Sequence, residues 1–348
     1  MGCNSSIQTN SQSELLQRVK QCIERNNSKV LHSLIISQQS RLHGRLLLND
    51  PIAEVEGLRL NSLGYALWLG RAYLFRYMYE TLGASLSVLE DLLRSQRTSI
   101  LGLICQRGHL DILQYYLPLY MSTYSNPKID ENISLDFDNS FDNKIFYTYT
   151  PIQTACELGH MCILDYVFLH FKDTKPPEEL DIHMQDSLTG ENCALIAART
   201  GNYPMMKFLY ERCKADFKVL NNSYENAIQI AALGSTTGDG DYLACIKFLV
   251  EKIGVDLKYN YEETLLHIQS YSLRNYVEKK LKDVGINASK SEIEKKYEIR
   301  WPKDDKKLDG LFFDLKKCEM DDDLLSMPSQ ITFTEGLTVS FINEVRNL

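Results

Sequence analysis

The hydrophobic pattern of this chain alternates between short apolar segments and longer amphipathic ones. The clearest copy begins at Thr150, ends its first segment at Gly159 and continues into the sequence MCILDYVF. Thr150 can accept a backbone N–H bond as a helix N-cap, and Pro151 suits the first helical position, where a backbone N–H has no helical partner. Ile163 and Leu164 begin the helically spaced apolar face of the second segment. The pattern predicts two antiparallel helices joined by a glycine turn.

The same register recurs along the chain. The predicted helix caps are Asn61, Ser99, Thr150, Asn192, Asn226 and Thr264. The apolar residues two positions after them are Leu63, Leu101, Ile152, Ala194, Ile228 and Leu266. Successive copies begin 38, 51, 42, 34 and 38 residues apart, against about 33 for the shortest regular helical repeats. We therefore expect an all-α array of helix–turn–helix units with insertions.

Three stretches carry a resemblance to a known family: QRGHLDILQYYL, TPIQTACELGHMCILDYV and ALIAARTGNYPMMKFL. They resemble the ankyrin repeat, whose signature T-P-L-H-x-A-A-x-x-G-H precedes an L-x-x-V-x-x-L-L helix. The resemblance covers about residues 55–285 and implies an ankyrin-repeat solenoid that binds a protein partner rather than catalysing a reaction. At the family histidine position the units carry Gly64, Gly102, Gln153, Leu195, Gln229 and, as the one histidine, His267.

The pattern also predicts how the chain is divided. The expected segments are a flexible N-terminus at 1–12, an N-terminal helical cap or degenerate repeat at 13–54, about six repeats at 55–285 and a non-repeat tail at 286–348. In the cap, the predicted apolar faces are Leu15, Leu16, Val19 and Ile23, then Val30, Leu31, Leu34 and Ile35. Insertions are expected near 121–148, 171–188 and 234–240, looping out from one edge of the array. In the tail, SKSEIEKKYEIRW suggests a charged helix, and the residues around Glu335-Gly336 suggest a small β-hairpin.

Charge and cysteine usage narrow the class of protein. The chain has 38 basic and 46 acidic residues, a net charge of −8, so we expect no nucleic-acid partner. Its nine cysteines form no CxxC pair, and the polar N-terminus has no signal-peptide core. Reduced thiols in a cytoplasmic protein are the expectation. No apolar run approaches the length that spans a bilayer.

The N-terminal sequence MGCNSS matches the pattern for N-myristoylation, with Gly2 as the acceptor. Cys3 beside it is a candidate for palmitoylation. Because two acyl chains hold a protein at a bilayer more firmly than one, Gly2 and Cys3 together predict peripheral membrane contact through a lipid anchor.

No catalytic, cofactor-binding or metal-binding residues are predicted, and no cofactor is expected. His109 and His160 fall in the turns of the pattern, and Cys156 and Cys193 fall on the short helices, where small buried cysteines are usually inert. Three hypotheses follow from the sequence: a protein-binding adaptor or scaffold, tethered to a membrane by acylation; a structural subunit of a large cytoskeletal or ciliary assembly; and a targeting or regulatory subunit of a separate enzyme.

Overall fold

A computed structural model describes residues 4–39, 44–124, 149–236 and 238–300. This part of the chain is mostly helical, with 17 α-helices and one small two-stranded sheet. The expected all-α character is confirmed. The chain divides into two compact units, residues 1–290 and 291–348.

Six helix pairs fill most of the first unit. The first helices of the pairs are α4 (Ser62–Trp68), α7 (Ile100–Arg107), α9 (Pro151–Glu157), α11 (Cys193–Arg199), α13 (Ala227–Gly234) and α15 (Tyr261–His267). Their partners are α5 (Ala72–Glu80), α8 (Leu110–Tyr124), α10 (Met161–His170), α12 (Tyr203–Glu211), α14 (Tyr242–Phe248) and α16 (Tyr271–Asp283). The other elements are α1 (Asn4–Glu24), α2 (Ser28–Gln39), α3 (Gly44–Asn49), β1 (Ala53–Val55), β2 (Leu58–Leu60), α6 (Leu86–Arg94), a 3₁₀ turn (Glu178–Leu180), a π turn (Leu249–Ile253) and α17 (Lys290–Arg300).

The first helices of the pairs form the core of this unit. Each packs against the first helix of the next pair, from α4 through α7, α9, α11 and α13 to α15, and each also packs against its own partner. Leu63, Leu103, Ala155, Ile196 and Ala231 on these helices have no exposed surface. Helices α4, α11 and α13 bury nearly all of their side chains because neighbours cover them on several sides.

Five of the six predicted caps are confirmed. The side chains of Asn61, Ser99, Thr150, Asn192 and Asn226 each accept a backbone N–H from the first turn of the helix that follows. Thr150 and Asn226 also form capping boxes, in which Gln153 and Gln229 reach back to the N–H of the cap residue.

The sixth predicted cap, Thr264, is wrong. Helix α15 begins four residues earlier than this cap implies, at Tyr261 after Asn260, which has a left-handed backbone with φ of 47°. Glu262 and Glu263 occupy its first turn, where the helix dipole favours acidic residues. Thr264 therefore lies inside the helix, where its hydroxyl donates to the carbonyl of Asn260 at 3.2 Å. In this register Leu266 is only half-buried, and His267 lies at the end of the helix rather than at the family histidine position.

Three of the glycine turns that join the two helices of a pair are contacted by a histidine or tyrosine side chain of the next pair. Gly70, Gly108 and Gly201 all have positive φ, at 68°, 69° and 65°. The ring contacts are His109 to the carbonyl of Trp68 at 3.3 Å, His160 Nε2 to the carbonyl of Gln106 at 3.0 Å, and the Tyr242 hydroxyl donating to the carbonyl of Arg199 at 3.1 Å. Each ring thus reaches a carbonyl near the C-terminal end of the preceding first helix, where the last carbonyls have no helical partner.

The N-terminal helices are longer than the sequence predicted. Helix α1 begins at Asn4, within the segment expected to be flexible, because no proline or glycine between Gly2 and Gly44 interrupts it. The predicted core positions Val19, Ile23, Leu31 and Ile35 are confirmed, with no exposed surface. Val30 is wrong, at 49% exposed, because it is about 100° round the helix from Leu31.

Two elements between residues 50 and 99 were not predicted. Strands β1 and β2 form a hairpin with Val55 opposite Leu58, and its two-residue turn has positive φ at both Glu56 and Gly57. Helix α6 begins at Leu86 and is capped by Ser85, whose hydroxyl accepts the N–H of Val88 at 3.3 Å. This helix occupies the extra length of the first copy of the pattern.

The three predicted insertions have different outcomes. Part of segment 171–188 packs inward, since Phe171, Leu180 and Ile182 are buried, so the expectation that it loops out is wrong for that part. The segment near 234–240 lies between α13 and α14, as expected. Most of 121–148 lies outside the described residues, as does the predicted hairpin of the tail. The charged helix at the start of the tail is confirmed as α17. Among the described helices, none combines the length and the apolar character needed to cross a bilayer.

Candidate functional site

Three loops that lead into α11, α13 and α15 share one opening turn. In each, an aspartate side chain accepts the backbone N–H two residues ahead: Asp181 from His183 at 2.9 Å, Asp216 from Lys218 at 2.8 Å, and Asp256 from Lys258 at 2.9 Å. The residues between them, Ile182, Phe217 and Leu257, are buried. The recurring order aspartate, apolar, basic therefore fixes the start of each loop to the core.

Amide side chains on the helices hold these loops in place. The cap residue Asn192 donates through Nδ2 to the carbonyl of Asp216 at 2.9 Å, and Asn226 makes the equivalent bond to Asp256 at 3.0 Å. Gln153, which has no exposed surface, donates through Nε2 to a carbonyl of the first loop, that of Glu191, at 3.1 Å. Each loop is thus hydrogen-bonded to the preceding helix pair.

Neighbouring loops are also bonded to one another. The N–H of Asn222 donates to the carbonyl of Thr189 at 2.8 Å, and its Nδ2 donates to the carbonyl of Leu188 at 2.9 Å. The remaining links are Gln185 Nε2 to the carbonyl of Leu220 at 3.0 Å and the Tyr259 hydroxyl to the carbonyl of Tyr224 at 2.8 Å. Because each loop is hydrogen-bonded to the next, the third through the side chain of Tyr259, the loops form one connected edge.

This edge exposes apolar side chains to solvent. Leu188 is 51% exposed, Leu220 is 37% exposed and Tyr224 is 73% exposed. We call these three residues the loop edge. Single exposed apolar residues are common, but several on adjacent, hydrogen-bonded loops are typical of a binding surface.

A polar network lies beside the first loop. Arg199 donates through Nη2 to Glu157 at 3.0 Å and to the Tyr149 hydroxyl at 2.8 Å, and through Nε to Glu191 at 3.1 Å. The guanidinium also lies 5.6 Å from the centre of the Tyr149 ring. Burial alone would lower the pKa of Arg199, but the charge of Glu191, helped by Tyr149 and Glu157, outweighs burial and raises it. The arginine therefore stays charged and offsets one of the two carboxylate charges in this network.

The next two carboxylates are Glu225, at the end of the second loop, and Glu263, in the first turn of α15, where Nε2 of His267 lies 4.0 Å from Glu263. Glu225 accepts a hydrogen bond from Asn221 Nδ2 at 2.7 Å, and Glu263 accepts one from Gln229 Nε2 at 3.2 Å. Burial raises the pKa of Glu225; the bond from Asn221 opposes this rise, and the charges of Glu263 and Glu191 add to it. Within the described ranges, no lysine or arginine forms an ion pair with Glu225 or Glu263. We call Glu191, Glu225 and Glu263 the acidic row.

The residues singled out from the sequence do not converge on a common site. Gly2 and Cys3 lie outside the described residues, so their acylation stays a prediction. His109 and His160 lie in separate turns, and the Cys156 thiol donates to the carbonyl of Cys193 at 3.2 Å. Of the seven cysteines described, all are free and all but Cys162 are buried. No group of three or more potential metal ligands occurs in the described part of the chain.

Sequence reasoning missed the loop edge and the acidic row. Its signal was present, since the aspartate–apolar–basic triplets at 181–183, 216–218 and 256–258 recur at nearly the spacing of the helix pairs. Neither a family model nor a curated protein matches this chain.

Proposed function

We propose that this chain is a non-enzymatic, ankyrin-type interaction module that binds a protein partner along the loop edge. The observation that carries the proposal is the exposure of Leu188, Leu220 and Tyr224 on two adjacent loops that are bonded to each other and to the helices. Loops held in this way lose little conformational entropy on binding, which favours their use as a docking surface. Tyrosine is also among the residues that contribute most binding energy at protein interfaces.

The ankyrin assignment rests on the sequence resemblance together with recurring contacts. Successive pairs repeat a capped first helix, a left-handed glycine turn, and a polar ring or hydroxyl that reaches the previous pair. Gln153 and Gln229, at the family histidine position, form capping boxes in place of that residue. These features support a degenerate array of about six units, preceded by the α1–α2 pair as a cap.

Selection from a random peptide library displayed on phage tests the proposed function. The purified chain serves as bait, and a variant carrying Leu188→Ser, Leu220→Ser and Tyr224→Ser serves for counter-selection. Because all three side chains are exposed, the variant should unfold at the same urea concentration as the parent. We expect enriched peptides that bind the parent at least tenfold more tightly than the variant. Failure to enrich any peptide, or equal binding to both proteins, would refute the loop edge as the docking surface.

Acylation at Gly2 and Cys3 would add a membrane tether to this module. The sequence MGCNSS supports it. Metabolic labelling with an alkyne fatty acid, comparing the parent with Gly2→Ala, tests the tether separately from peptide binding. We expect label on the parent only; equal labelling of both proteins, or label on neither, would remove the tether from the proposal.

A further inference from the structure

We propose that the partner segment that docks on the loop edge is basic, and that a lysine or arginine of that segment binds between Glu225 and Glu263. This inference rests on the proposed function and adds the chemical nature of the partner. The apolar residues of the segment would pack on Leu188, Leu220 and Tyr224.

A contact of this kind, an arginine between two glutamates beside a tyrosine ring, already occurs within the protein at Arg199. Arg199, the seventh residue after the cap Asn192, bridges Glu191 and Glu157 beside the Tyr149 ring. The seventh residue after the next cap, Asn226, is Leu233, which cannot play that part. Glu225 precedes Asn226 as Glu191 precedes Asn192, and it consequently lacks the arginine that the preceding pair supplies to Glu191 from its own chain.

A cation bound at this position would offset an unfavourable electrostatic interaction in the folded protein. Glu225 is half-buried, and its neighbour Asn226 is linked to Glu263 by Gln229, whose Oε1 accepts the N–H of Asn226 at 3.1 Å and whose Nε2 donates to Glu263 at 3.2 Å. Burial and the charges of Glu263 and Glu191 both disfavour the ionised form of Glu225. A guanidinium or ammonium group placed between Glu225 and Glu263 would turn that repulsion into attraction. The contact would be partly shielded from solvent, where charge interactions are stronger than at a fully exposed site.

The apolar and acidic features adjoin each other. Tyr224 directly precedes Glu225, and the carbonyl of Tyr224 is held by Tyr259. Its exposed ring offers an arginine a cation–π contact in addition to the carboxylates. The basic residues of the loops, His183, Lys218 and Lys258, lie instead at the opening turns. We therefore assign an alternating basic and apolar segment as the occupant.

Fluorescence anisotropy with three labelled 12-residue peptides tests the inference. The peptides alternate leucine with arginine, with glutamine or with glutamate. We expect the arginine peptide to bind at least tenfold more tightly than the glutamine peptide, and the glutamate peptide to bind most weakly. The double variant Glu225→Gln and Glu263→Gln should weaken arginine-peptide binding about fivefold, the range of two partly exposed ion pairs. It should also reduce the dependence of binding on salt.

Two further proteins, a charge-matched double variant and a variant with an added internal cation, test whether the effect is specific to the two carboxylates. Asp173→Asn with Glu211→Gln makes the same change in net charge at exposed positions away from the three loops, and should alter binding less than twofold. Leu233→Arg places a cation at the position equivalent to Arg199, where it would pair with Glu225, and should weaken arginine-peptide binding relative to the parent. Since glutamine can still accept the bond from Asn221, the double variant should retain the fold, which circular dichroism verifies.

The outcomes separate this inference from the proposed function. If the arginine and glutamine peptides bind equally, or if the double variant behaves like the Asp173/Glu211 control, the basic partner is refuted. If the loop-edge triple variant still loses binding in that case, the docking surface stands without a basic partner. If the triple variant binds every peptide as the parent does, the docking surface itself is refuted.

Discussion

At the scale of single residues, glycine is favoured at Gly108 for two reasons, and the contribution of each to stability can be measured separately. Its φ of 69° lies in the left-handed region, and a Cβ added there would collide with the ring of His160. Gly254 has nearly the same φ, 72°, but a Cβ there would meet nothing within 4 Å. The two glycines thus form a matched pair that differs in the contact with the next helix pair.

We expect Gly254→Ala to lower the free energy of unfolding by about 1 kcal/mol, the cost of a left-handed alanine. Gly108→Ala should cost at least about 2 kcal/mol, because moving His160 also breaks its bond to the carbonyl of Gln106. Urea denaturation of both variants measures the difference. Equal losses would mean that the histidine ring adjusts freely and does not join the two pairs.

Glu225 shows that a candidate binding residue can lower stability. Its folded pKa is raised, so in the window above the usual value of 4.5 the folded state binds more protons than the unfolded state. The contribution of Glu225 to stability is therefore greatest at low pH and falls as pH rises through the folded pKa. The carboxylates that cause part of this effect are Glu191 and Glu263.

We expect Glu225→Gln to raise the free energy of unfolding at pH 7 by roughly 0.5 kcal/mol, the scale of partly screened charge interactions. The gain should shrink as pH is lowered toward the usual carboxyl pKa, because the parent residue then becomes neutral as well. Urea titrations of both proteins at several pH values provide the measurement. A loss of stability at pH 7 would show that the charge of Glu225 already has a favourable partner.

At the scale of elements, local signals predicted what lies near them in sequence. The caps at Asn61, Ser99, Thr150, Asn192 and Asn226 were identifiable because a cap bonds only to the next few residues. The start of α15 was not, because the left-handed backbone at Asn260 has no equivalent in the other pairs. The β1–β2 hairpin was missed because its three-residue strands are too short for an alternating pattern to stand out.

The same hairpin packs against helix α6 and is also hydrogen-bonded to a side chain that follows this helix. Gln96, just beyond the end of α6, accepts the N–H of Arg59 and donates through Nε2 to the carbonyl of the same residue at 2.9 Å. Its side-chain amide therefore makes the two hydrogen bonds to the backbone of Arg59 that a neighbouring strand would make. Contacts of this kind join residues 37 positions apart, which a local pattern does not reveal.

We expect Gln96→Ala to free the outer edge of β2 and to reduce the hydrogen-exchange protection of the Arg59 amide at least tenfold, consistent with losing about 1–2 kcal/mol of hydrogen bonding. Gln17→Ala, an exposed substitution on α1, is the control. Protection of the α9 and α11 amides should remain unchanged in both variants. An unchanged exchange rate at Arg59 would show that the hairpin is stable without the hydrogen bonds of Gln96.

At the scale of the whole molecule, the order of the helix pairs follows from the sequence and the binding surface does not. The caps and the glycine turns give the pairs in order. The loop edge arises only when loops about 35 residues apart meet, as Asn222 meets Leu188. The acidic row likewise depends on the stacking of α11, α13 and α15, because Glu191 and Glu263 lie far from Glu225 in sequence.

This stacking order also predicts how far local unfolding caused by a destabilising substitution extends within residues 1–290. Helices of one pair contact mainly the pairs before and after it, so a weakened end should open without opening the other end. Leu281 on α16 and Val19 on α1 are both fully buried and lie at opposite ends of this order. Replacing either with alanine removes buried apolar volume, at a cost of about 1–4 kcal/mol.

We expect Leu281→Ala to reduce hydrogen-exchange protection in α15 and α16 while leaving α4 and α5 as in the parent. Val19→Ala should have the reverse effect, reducing protection in α1, α2 and α4 but not in α16. Mass-spectrometric exchange, read out on peptides from each helix, distinguishes the two patterns. A uniform loss of protection in both variants would show that the unit unfolds as one cooperative body, and would remove this support for a repeat array. The loop edge lies between these ends, so peptide binding by both variants should then stay within about twofold of the parent in conditions where the central pairs remain folded.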